Sequence, residues 1–177
     1  MYKSYYYLNR LTVELNAVLS GKKIVSIFSQ DKDRLIIQID GSEELFIEFS
    51  VNHSEPFINV RRKYSRAKKN TIEFFNELLS KTIKEVLIAS DDRIIKITTD
   101  KGDLIFAIRG KYTNLFFNST NLLPFKNEDE ENLIKFKQEF ENKFFHNSLN
   151  IPESDFIKGK SIEEIRNRYR FIGREIE

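Results

Sequence analysis

The sequence predicts an α+β fold in which two antiparallel sheets pack face to face as a β-sandwich. Short runs of alternating apolar and polar residues recur along the chain, and turn-forming residues separate them. The whole order is then repeated, with a predicted helix and a four-stranded meander in each copy. Because one sheet of four strands cannot bury both its faces, the two copies are expected to pack against each other. The copies cover residues 5–60 and 70–118.

The first copy begins with a predicted helix over residues 7–19, because its apolar residues recur at helical spacing. Ser4 or Asn9 would cap the N-terminus, and Gly21 stands where a glycine commonly ends a helix. The apolar residues are Leu8, Leu11, Leu15, Val18 and Leu19.

Four strands of the same copy follow this helix. A hairpin turn is predicted at Asp40 and Gly41, since an Asp-Gly pair favours tight turns, and a further turn at Pro56. The predicted strands are residues 24–28, 35–39, 45–49 and 57–60.

The second copy begins at Asn70, where N-T-I-E resembles a capping box that opens a helix. This predicted helix over residues 70–79 would bury Ile72, Phe75, Leu78 and Leu79. The strands that follow are residues 83–88, 93–99, 104–108 and 115–118.

An offset of 59 positions overlays the two copies. It places Ile24 on Ile83, and the pair Asp33-Arg34 on the pair Asp92-Arg93. The alternative is a chance similarity between two β-rich segments, but the matching turns favour duplication. The same offset places Ile39 on Thr98 and Phe49 on Ile108.

Residues 1–125 are therefore predicted to form the sandwich domain, and residues 126–177 a helical extension. Four acids at residues 128–131 suit the start of a helix over residues 128–147. A second capping box from Ser161 to Glu164 would open a helix through Tyr169, and the chain is expected to be part of a longer protein. The first of these helices carries an apolar stripe of Leu133, Phe136, Phe140 and Phe144.

Composition excludes several kinds of site. The chain has no cysteine, so disulfides, thiolate metal sites and cysteine nucleophiles are ruled out. Its two histidines, His53 and His146, have no carboxylate at ligand spacing, and no phosphate-binding glycine motif occurs. Asp91 and Asp92 could be an acid–base pair or a solvated turn, and neighbours on a strand face opposite ways. We therefore expect no enzyme, metal or cofactor.

The 177 residues carry a net charge of only +2, so any affinity for nucleic acid must come from local clusters of cations. No apolar run approaches the roughly 20 residues of a membrane span. The first ten residues, M-Y-K-S-Y-Y-Y-L-N-R, lack the apolar segment of a secretion signal. These features predict a cytoplasmic protein.

Six cations lie within nine residues in the segment that joins the two copies, interleaved with Tyr64 and Ser65. Contacts with phosphates add up, so this segment could supply most of a nucleic-acid footprint, or it could simply be solvated. Tyr64 could stack on a base or pack on the sandwich. We name residues 61–69 the basic loop; its cations are Arg61, Arg62, Lys63, Arg66, Lys68 and Lys69.

Arg93, which follows Asp92 at the start of a predicted strand, is the second candidate. Its guanidinium could bind a phosphate or a base edge with two N–H groups, or form an ion pair with a nearby aspartate. If this strand mirrors its counterpart in the first copy, Arg109 and Lys111 are expected near it.

Several segments, in a fixed order, resemble one known family. They are L-S-G-K-K-I at 19–24, F-S-Q at 28–30, R-A-K-K-N-T-I-E-F-F-N-E-L-L at 66–79, D-D-R-I-I at 91–95 and G-K-Y-T-N-L-F-F at 110–117. This order is similar to the N-terminal domain of the NFACT family of ribosome quality-control factors. The family includes bacterial RqcH and eukaryotic NEMF, and its older name is fibronectin-binding protein A-like.

The resemblance implies a sandwich similar to the N-terminal domain of formamidopyrimidine-DNA glycosylases, with a helix-hairpin-helix region expected to begin where this chain ends. It also implies binding to a large ribosomal subunit that carries a stalled peptidyl-tRNA. There the family recruits tRNA, alanyl-tRNA in bacteria, for template-free tailing of the stalled peptide. The tRNA-engaging Asp-Arg signature of the family corresponds to Asp92 and Arg93.

Two other functions are open on the sequence alone. A DNA glycosylase with lyase activity would use an N-terminal proline amine followed by a glutamate, where this chain has Tyr2 and Lys3 after Met1. A surface adhesin, which the older family name suggests, would need a secretion signal or an anchor.

Overall fold

The computed structural model describes residues 3–149, 158–161 and 163–164. Within them, two helices flank two antiparallel sheets. The helices are α1 (Tyr5–Leu19) and α2 (Glu130–Glu141). The strands are β1 (Ile24–Asp31), β2 (Arg34–Ile39), β3 (Leu45–Ser50), β4 (Phe57–Arg61), β5 (Ile72–Glu73), β6 (Ile83–Ala89), β7 (Ile94–Thr99), β8 (Asp103–Ala107), β9 (Asn114–Asn118), β10 (Leu122–Pro124) and β11 (Phe145–His146).

The first sheet has the strand order β4-β3-β2-β1-β5, and the second has the order β10-β9-β8-β7-β6-β11. The alternating apolar residues of both meanders form a single buried core. Phe49 and Phe106 meet in this core with their ring centroids 5.5 Å apart. The predicted α+β sandwich is confirmed, and every strand predicted in the two meanders is present.

Helix α1 begins two residues before its predicted start, directly after the predicted cap Ser4, and ends at Leu19 as predicted. The Ser4 hydroxyl accepts a hydrogen bond from the backbone N–H of Tyr7 at 3.3 Å and so caps the first turn. Gly21 follows the helix with a φ of +82°, a left-handed conformation that glycine adopts without steric cost. The helix packs beside β6 and buries Leu8, Leu15 and Leu19 in the shared core.

The two copies meet where β1 and β6 begin, through backbone hydrogen bonds that are related by the repeat. The N–H of Gly21 donates to the carbonyl of Ile83, and the N–H of Ser80 donates to the carbonyl of Ile24, both at 2.8 Å. An offset of 59 positions converts one of these bonds into the other. The duplication therefore takes the form of an approximate two-fold symmetry between the sheets.

The offset changes along the chain, because the second copy has one more residue in the turn after its first strand. Phe28 pairs with Ile36 across the first turn, whereas Leu87 pairs with Lys96 across the second. Strand β2 consequently matches β7 at an offset of 60 rather than 59. The shorter hairpin after β7 then makes β3 match β8 at an offset of 57, so that Ile39 corresponds to Thr99 and Phe49 to Phe106.

This change of offset corrects the predicted match between the two Asp-Arg pairs. The Asp33 carbonyl accepts the N–H of Val51 at 2.8 Å, and in the second copy the Arg93 carbonyl accepts the N–H of Ile108 at 3.0 Å. Arg93 therefore corresponds to Asp33, not to Arg34. The overlay of Asp33-Arg34 on Asp92-Arg93 was wrong, and the second pair has no structural equivalent in the first copy.

The helix predicted over residues 70–79 is also wrong. The segment instead adds β5 to the edge of β1 and then makes one 3₁₀ turn at Asn76–Leu78. Ile72, predicted to be buried, is 63% exposed. Phe74 and Phe75 pack against the end of the core, where the Phe74 ring lies 4.8 Å from that of Phe125.

Helix α2 covers the outer face of the second sheet and is shorter than predicted. Asp129 caps it by accepting the N–H of Asn132, and Phe136 stacks on Phe116 of β9 with ring centroids 4.4 Å apart. The chain leaves the helix after Glu141, so Phe144 is 75% exposed and does not extend the buried stripe.

The strand β11 follows α2 and pairs with the free edge of β6. Farther along, the Ser161 hydroxyl accepts the N–H of Glu164 while the Glu164 carboxylate accepts the N–H of Ser161, which confirms that capping box. The rest of the helix predicted through Tyr169 lies outside the described residues.

Candidate nucleic-acid interface

The basic loop is fixed to the first sheet at its start by a buried ion pair. Glu48 of β3 is only 1% exposed, and its carboxylate lies 2.7 Å from the Arg61 guanidinium and 3.1 Å from that of Arg34. The contact with Arg61 is an ion pair without hydrogen-bond geometry. A buried carboxylate without a partner destabilises the folded state, so Arg61 stabilises the fold by compensating the charge of Glu48.

Two further side chains hold the middle of the basic loop on the outer face of this sheet. The Tyr64 ring packs on Phe28 and Phe46, with centroid distances of 5.7 and 5.8 Å. The Arg66 guanidinium lies 4.5 Å from the centre of the Phe28 ring and donates to Glu73 at 3.1 Å. Tyr64 therefore packs on the sandwich, and burial raises the pKa of its hydroxyl.

The remaining cations of the basic loop point into solvent. Lys63, Lys68 and Lys69 are exposed, and within the described part of the chain they have no carboxylate partner. Arg62 is also exposed, with Glu43 3.6 Å away. The loop thus combines fixed arginines with lysines whose charges are available to an anionic partner.

The turn between β6 and β7 carries Asp91, Asp92 and Arg93, and Lys143 neutralises its acids. The Lys143 ammonium lies 3.1 Å from Asp91 and 3.3 Å from Asp92, although this lysine is only 15% exposed. Burial lowers the pKa of Lys143, but the hydrogen bond to Asp91 and the two negative charges outweigh burial and raise it. The residue that follows Lys143, Phe144, accepts the N–H of Ser90 at 2.9 Å.

Arg93 is half-buried and lies directly before β7. Its backbone carbonyl accepts the N–H of Ile108, and its backbone N–H donates to the Asp92 carboxylate at 2.7 Å. Among the described residues, its guanidinium has no hydrogen bond, ion pair or aromatic contact. The alternative of an ion pair with a nearby aspartate is not what the structure shows, because Asp91 and Asp92 pair with Lys143.

Arg109 follows Ile108, whose N–H donates to the Arg93 carbonyl, but the side chains of Arg109 and Lys111 have other contacts. The Arg109 guanidinium donates to Glu139 of α2 at 3.0 Å and lies 4.8 Å from the centre of the Phe136 ring. Lys111 is exposed, and its ammonium lies 4.8 Å from the ring of Tyr112. Arg109 therefore helps to hold α2 on the second sheet.

The predicted site residues occupy three separate places. Among the described residues, the basic loop contacts the first sheet and Glu43. The turn of Asp92 and Arg93 is held by the segment after α2, and Arg109 lies under α2 itself. The contacts described do not join these places into one cluster.

Sequence reasoning missed the residues that hold these candidates in place. Lys143 lies 50 positions from Arg93, and Glu48 lies in the middle of an apolar strand. A carboxylate inside the run L-F-I-E-F-S is a signal that could have predicted a buried ion pair. Nothing in the sequence around Lys143 distinguishes it from other lysines.

Tyr2 and Lys3 stand where a glycosylase-type reaction would need its proline and glutamate; Tyr2 lies outside the described residues, and Lys3 is exposed. Neither helix in the described part of the chain has both the length and the apolar character needed to cross a membrane.

No protein-family model matches the chain, and no curated protein matches it either. Solved structures do match, with 17–19% sequence identity, which shows the fold alone. The N-terminal domain of the fibronectin-binding protein PavA from Streptococcus pneumoniae has 19% identity and a TM-score of 0.63, over 70% of this chain and 54% of that one.

Two further solved structures are similar. The N-terminal part of the fibronectin/fibrinogen-binding protein from Streptococcus suis has 18% identity and a TM-score of 0.62, over 72% of this chain and 55% of that one. The fibrinogen-binding protein from Staphylococcus aureus has 17% identity and a TM-score of 0.62, over 74% and 53%. The chain spans about half the length of each, and its fold is that of the N-terminal domain of PavA-like proteins.

Proposed function

We propose that this chain is the RNA-binding N-terminal domain of a ribosome-associated quality-control factor. In this role it binds tRNA at a large ribosomal subunit that carries a stalled peptidyl-tRNA, and it helps to recruit tRNA for C-terminal tailing of the stalled peptide. The chain itself binds RNA and performs no chemistry. Its place of action is the cytoplasm.

The basic loop carries this proposal. Arg61, Tyr64 and Arg66 hold the backbone of the loop on the first sheet. Lys63, Lys68 and Lys69 then present three charges that no carboxylate of the described chain neutralises. Cations on a backbone that is already held in place bind phosphates with a smaller loss of entropy than cations on a disordered segment.

Arg93 supports the same function from a second place. A half-buried guanidinium whose neighbouring acids are occupied by Lys143 is free to donate two hydrogen bonds to a phosphate or a base edge. The NFACT resemblance gives the same turn the tRNA-engaging role.

The test is the salt dependence of tRNA binding by a variant with Lys63, Lys68 and Lys69 all changed to Gln. Each lost phosphate contact makes the plot of log affinity against log salt shallower by about 0.7 to 0.9. We expect the triple variant to bind tRNA more weakly at low salt, with a slope shallower by about 2. Fluorescence anisotropy with labelled tRNA measures both quantities.

A triple variant of Lys3, Lys23 and Lys135, which are also exposed and have no carboxylate partner in the described chain, is the matched control because it loses the same charge elsewhere. If both triple variants lose affinity equally, the effect is one of net charge and the basic loop is not the binding site. Arg61 is kept in both, since its loss would leave Glu48 buried with one partner.

The similar solved structures are named for binding fibronectin and fibrinogen, which defines a second candidate function. A specific adhesin would bind immobilised fibronectin in a manner that tRNA does not compete with. A competition experiment with tRNA and fibronectin both present therefore distinguishes the two functions.

A further inference from the structure

A cleft of about 500 Å³ opens beside the basic loop, at the far end of β1. Three segments that are distant in sequence line it: the end of β1, the start of the segment that forms β5, and residues 125–127 after β10. A cleft of this size accommodates a small organic group.

Part of the lining of the cleft is apolar and aromatic. Phe74 and Phe125 meet there edge to face at 4.8 Å, and Ile72 lies beside them with 63% of its surface exposed. An isoleucine of a short edge strand gains nothing from this exposure in the free protein. A flat, apolar partner that covered Ile72 and packed on the rings would recover that surface from water.

The rim of the cleft carries amides with unused hydrogen-bonding groups. The side chains of Asn70 and Asn127 have no hydrogen-bond partner among the described residues. Gln30 uses its amide nitrogen on Thr71 at 3.2 Å, which leaves its oxygen available at the same rim. Such amides offer donors and acceptors side by side, as the edge of a nucleobase does.

Cations surround this rim. Lys32 lines the cleft without a carboxylate partner in the described chain, and Lys68 and Lys69 of the basic loop directly precede Asn70. Lys126 is bound to Asp33 at 2.7 Å, so it contributes less free charge. The acid of the lining, Asp31, is balanced by Arg34 at 3.7 Å. The surroundings therefore favour an anion with a flat apolar part.

We propose that this cleft binds one unpaired nucleobase of a single-stranded RNA segment, with the neighbouring phosphates held by Lys32, Lys68 and Lys69. The base packs on Ile72 and the two phenylalanines, and its edge bonds with the amides of Asn70 and Asn127. The proposal rests on the RNA-binding function above and adds to it a preference for loops or ends over duplex RNA.

The test uses a labelled seven-nucleotide single-stranded RNA and the same RNA with an abasic central nucleotide, which keeps every phosphate. We expect the complete RNA to bind about five-fold more tightly than the abasic one, as base stacking on aromatic side chains requires. Ile72→Ala and Asn127→Ala should each reduce this ratio towards one. Val25→Ala should leave this ratio unchanged, because Val25 is an exposed apolar residue that lies in β1 and outside the cleft.

The outcomes separate this proposal from the broader one. If the protein binds both RNAs equally and with salt dependence, RNA binding stands and the cleft proposal is overturned. If the protein binds neither of the two short RNAs and does not bind tRNA, the RNA-binding proposal and the cleft proposal are both overturned. A ratio that persists in Ile72→Ala and Asn127→Ala places the base elsewhere and overturns the cleft proposal alone.

Discussion

Arg93 lies in a turn whose negative charges are already neutralised by a distant residue. Lys143 pairs with Asp91 and Asp92, and Asp92 in turn accepts the backbone N–H of Arg93. Without Lys143, two unpaired carboxylates would lie in the same turn as Arg93 and would repel an approaching phosphate. Lys143 therefore positions the turn and cancels its net negative charge.

Arg93→Ala is expected to lower tRNA affinity about ten-fold, the effect of losing a hydrogen-bonded charge pair with phosphate. Thermal unfolding should change little, because the guanidinium has no hydrogen bond or ion pair with the described residues. Arg10→Ala, which removes the same charge from an exposed position of α1, is the control in the same anisotropy measurement. Equal losses in the two variants would show that Arg93 has no special role.

Lys143→Gln is expected to weaken tRNA binding about three-fold and to cost about 1 kcal/mol of unfolding free energy, since it leaves Asp91 and Asp92 unpaired. Adding Asp91→Asn to this variant should restore most of the affinity, because one repelling charge is then removed. If Lys143 contacts RNA directly, the double variant will bind as weakly as the single one.

The sequence could identify Arg93 but not its surroundings. The Asp-Arg pair is visible as a motif, whereas its apparent copy at Asp33 and Arg34 depends on an offset that one extra residue in a turn changes. Strand pairing is sensitive to such a shift, since one residue moves a side chain to the other face. Asp33 bonds to Lys126, which lowers the pKa of its carboxyl, and so has a different role.

At the scale of elements, the segment 70–79 shows why a helical pattern can fail. A helix of ten residues is marginal by itself, and Thr71 and Ile72 favour extended structure. The edge of β1 needs hydrogen-bond partners, and the end of the core can bury Phe74 and Phe75. These gains come from tertiary contacts that the local sequence does not contain.

Strand β11 ties the segment after α2 to β6 and to α1. His146 pairs with Ile88, and its ring nitrogen lies 3.1 Å from the Tyr5 hydroxyl. Burial lowers the pKa of His146 below its ordinary value of 6.5. The folded state therefore favours the neutral ring, so its stabilising effect is complete above pH 6.5 and is lost as the pH falls through the folded pKa.

His146→Gln should consequently remove part of the loss of stability between about pH 7 and pH 5, measured by urea unfolding at each pH. His53→Gln is the matched control, because His53 is the other histidine of the chain and is exposed. An unchanged pH dependence in His146→Gln, or an equal change in both variants, would contradict a role for the docked strand in acid sensitivity.

In the whole molecule, the two sheets are related by approximate symmetry, but different segments cover their outer faces. The basic loop covers Phe28 and Phe46 of the first sheet, and α2 covers Phe116 of the second. The sandwich could be predicted from alternating residues, because burial of both inner faces requires it. The segments that cover the outer faces could not be predicted, because each packs on apolar surface that only the folded sheet presents.

The affinity of the unmodified protein for tRNA across a range of salt concentrations tests the central claim most directly. Lys63, Lys68, Lys69 and Arg93 make four expected phosphate contacts, so log affinity should fall linearly with log salt at a slope of about −3. A tRNA affinity that does not change with salt, or the absence of binding at low salt, would contradict the account.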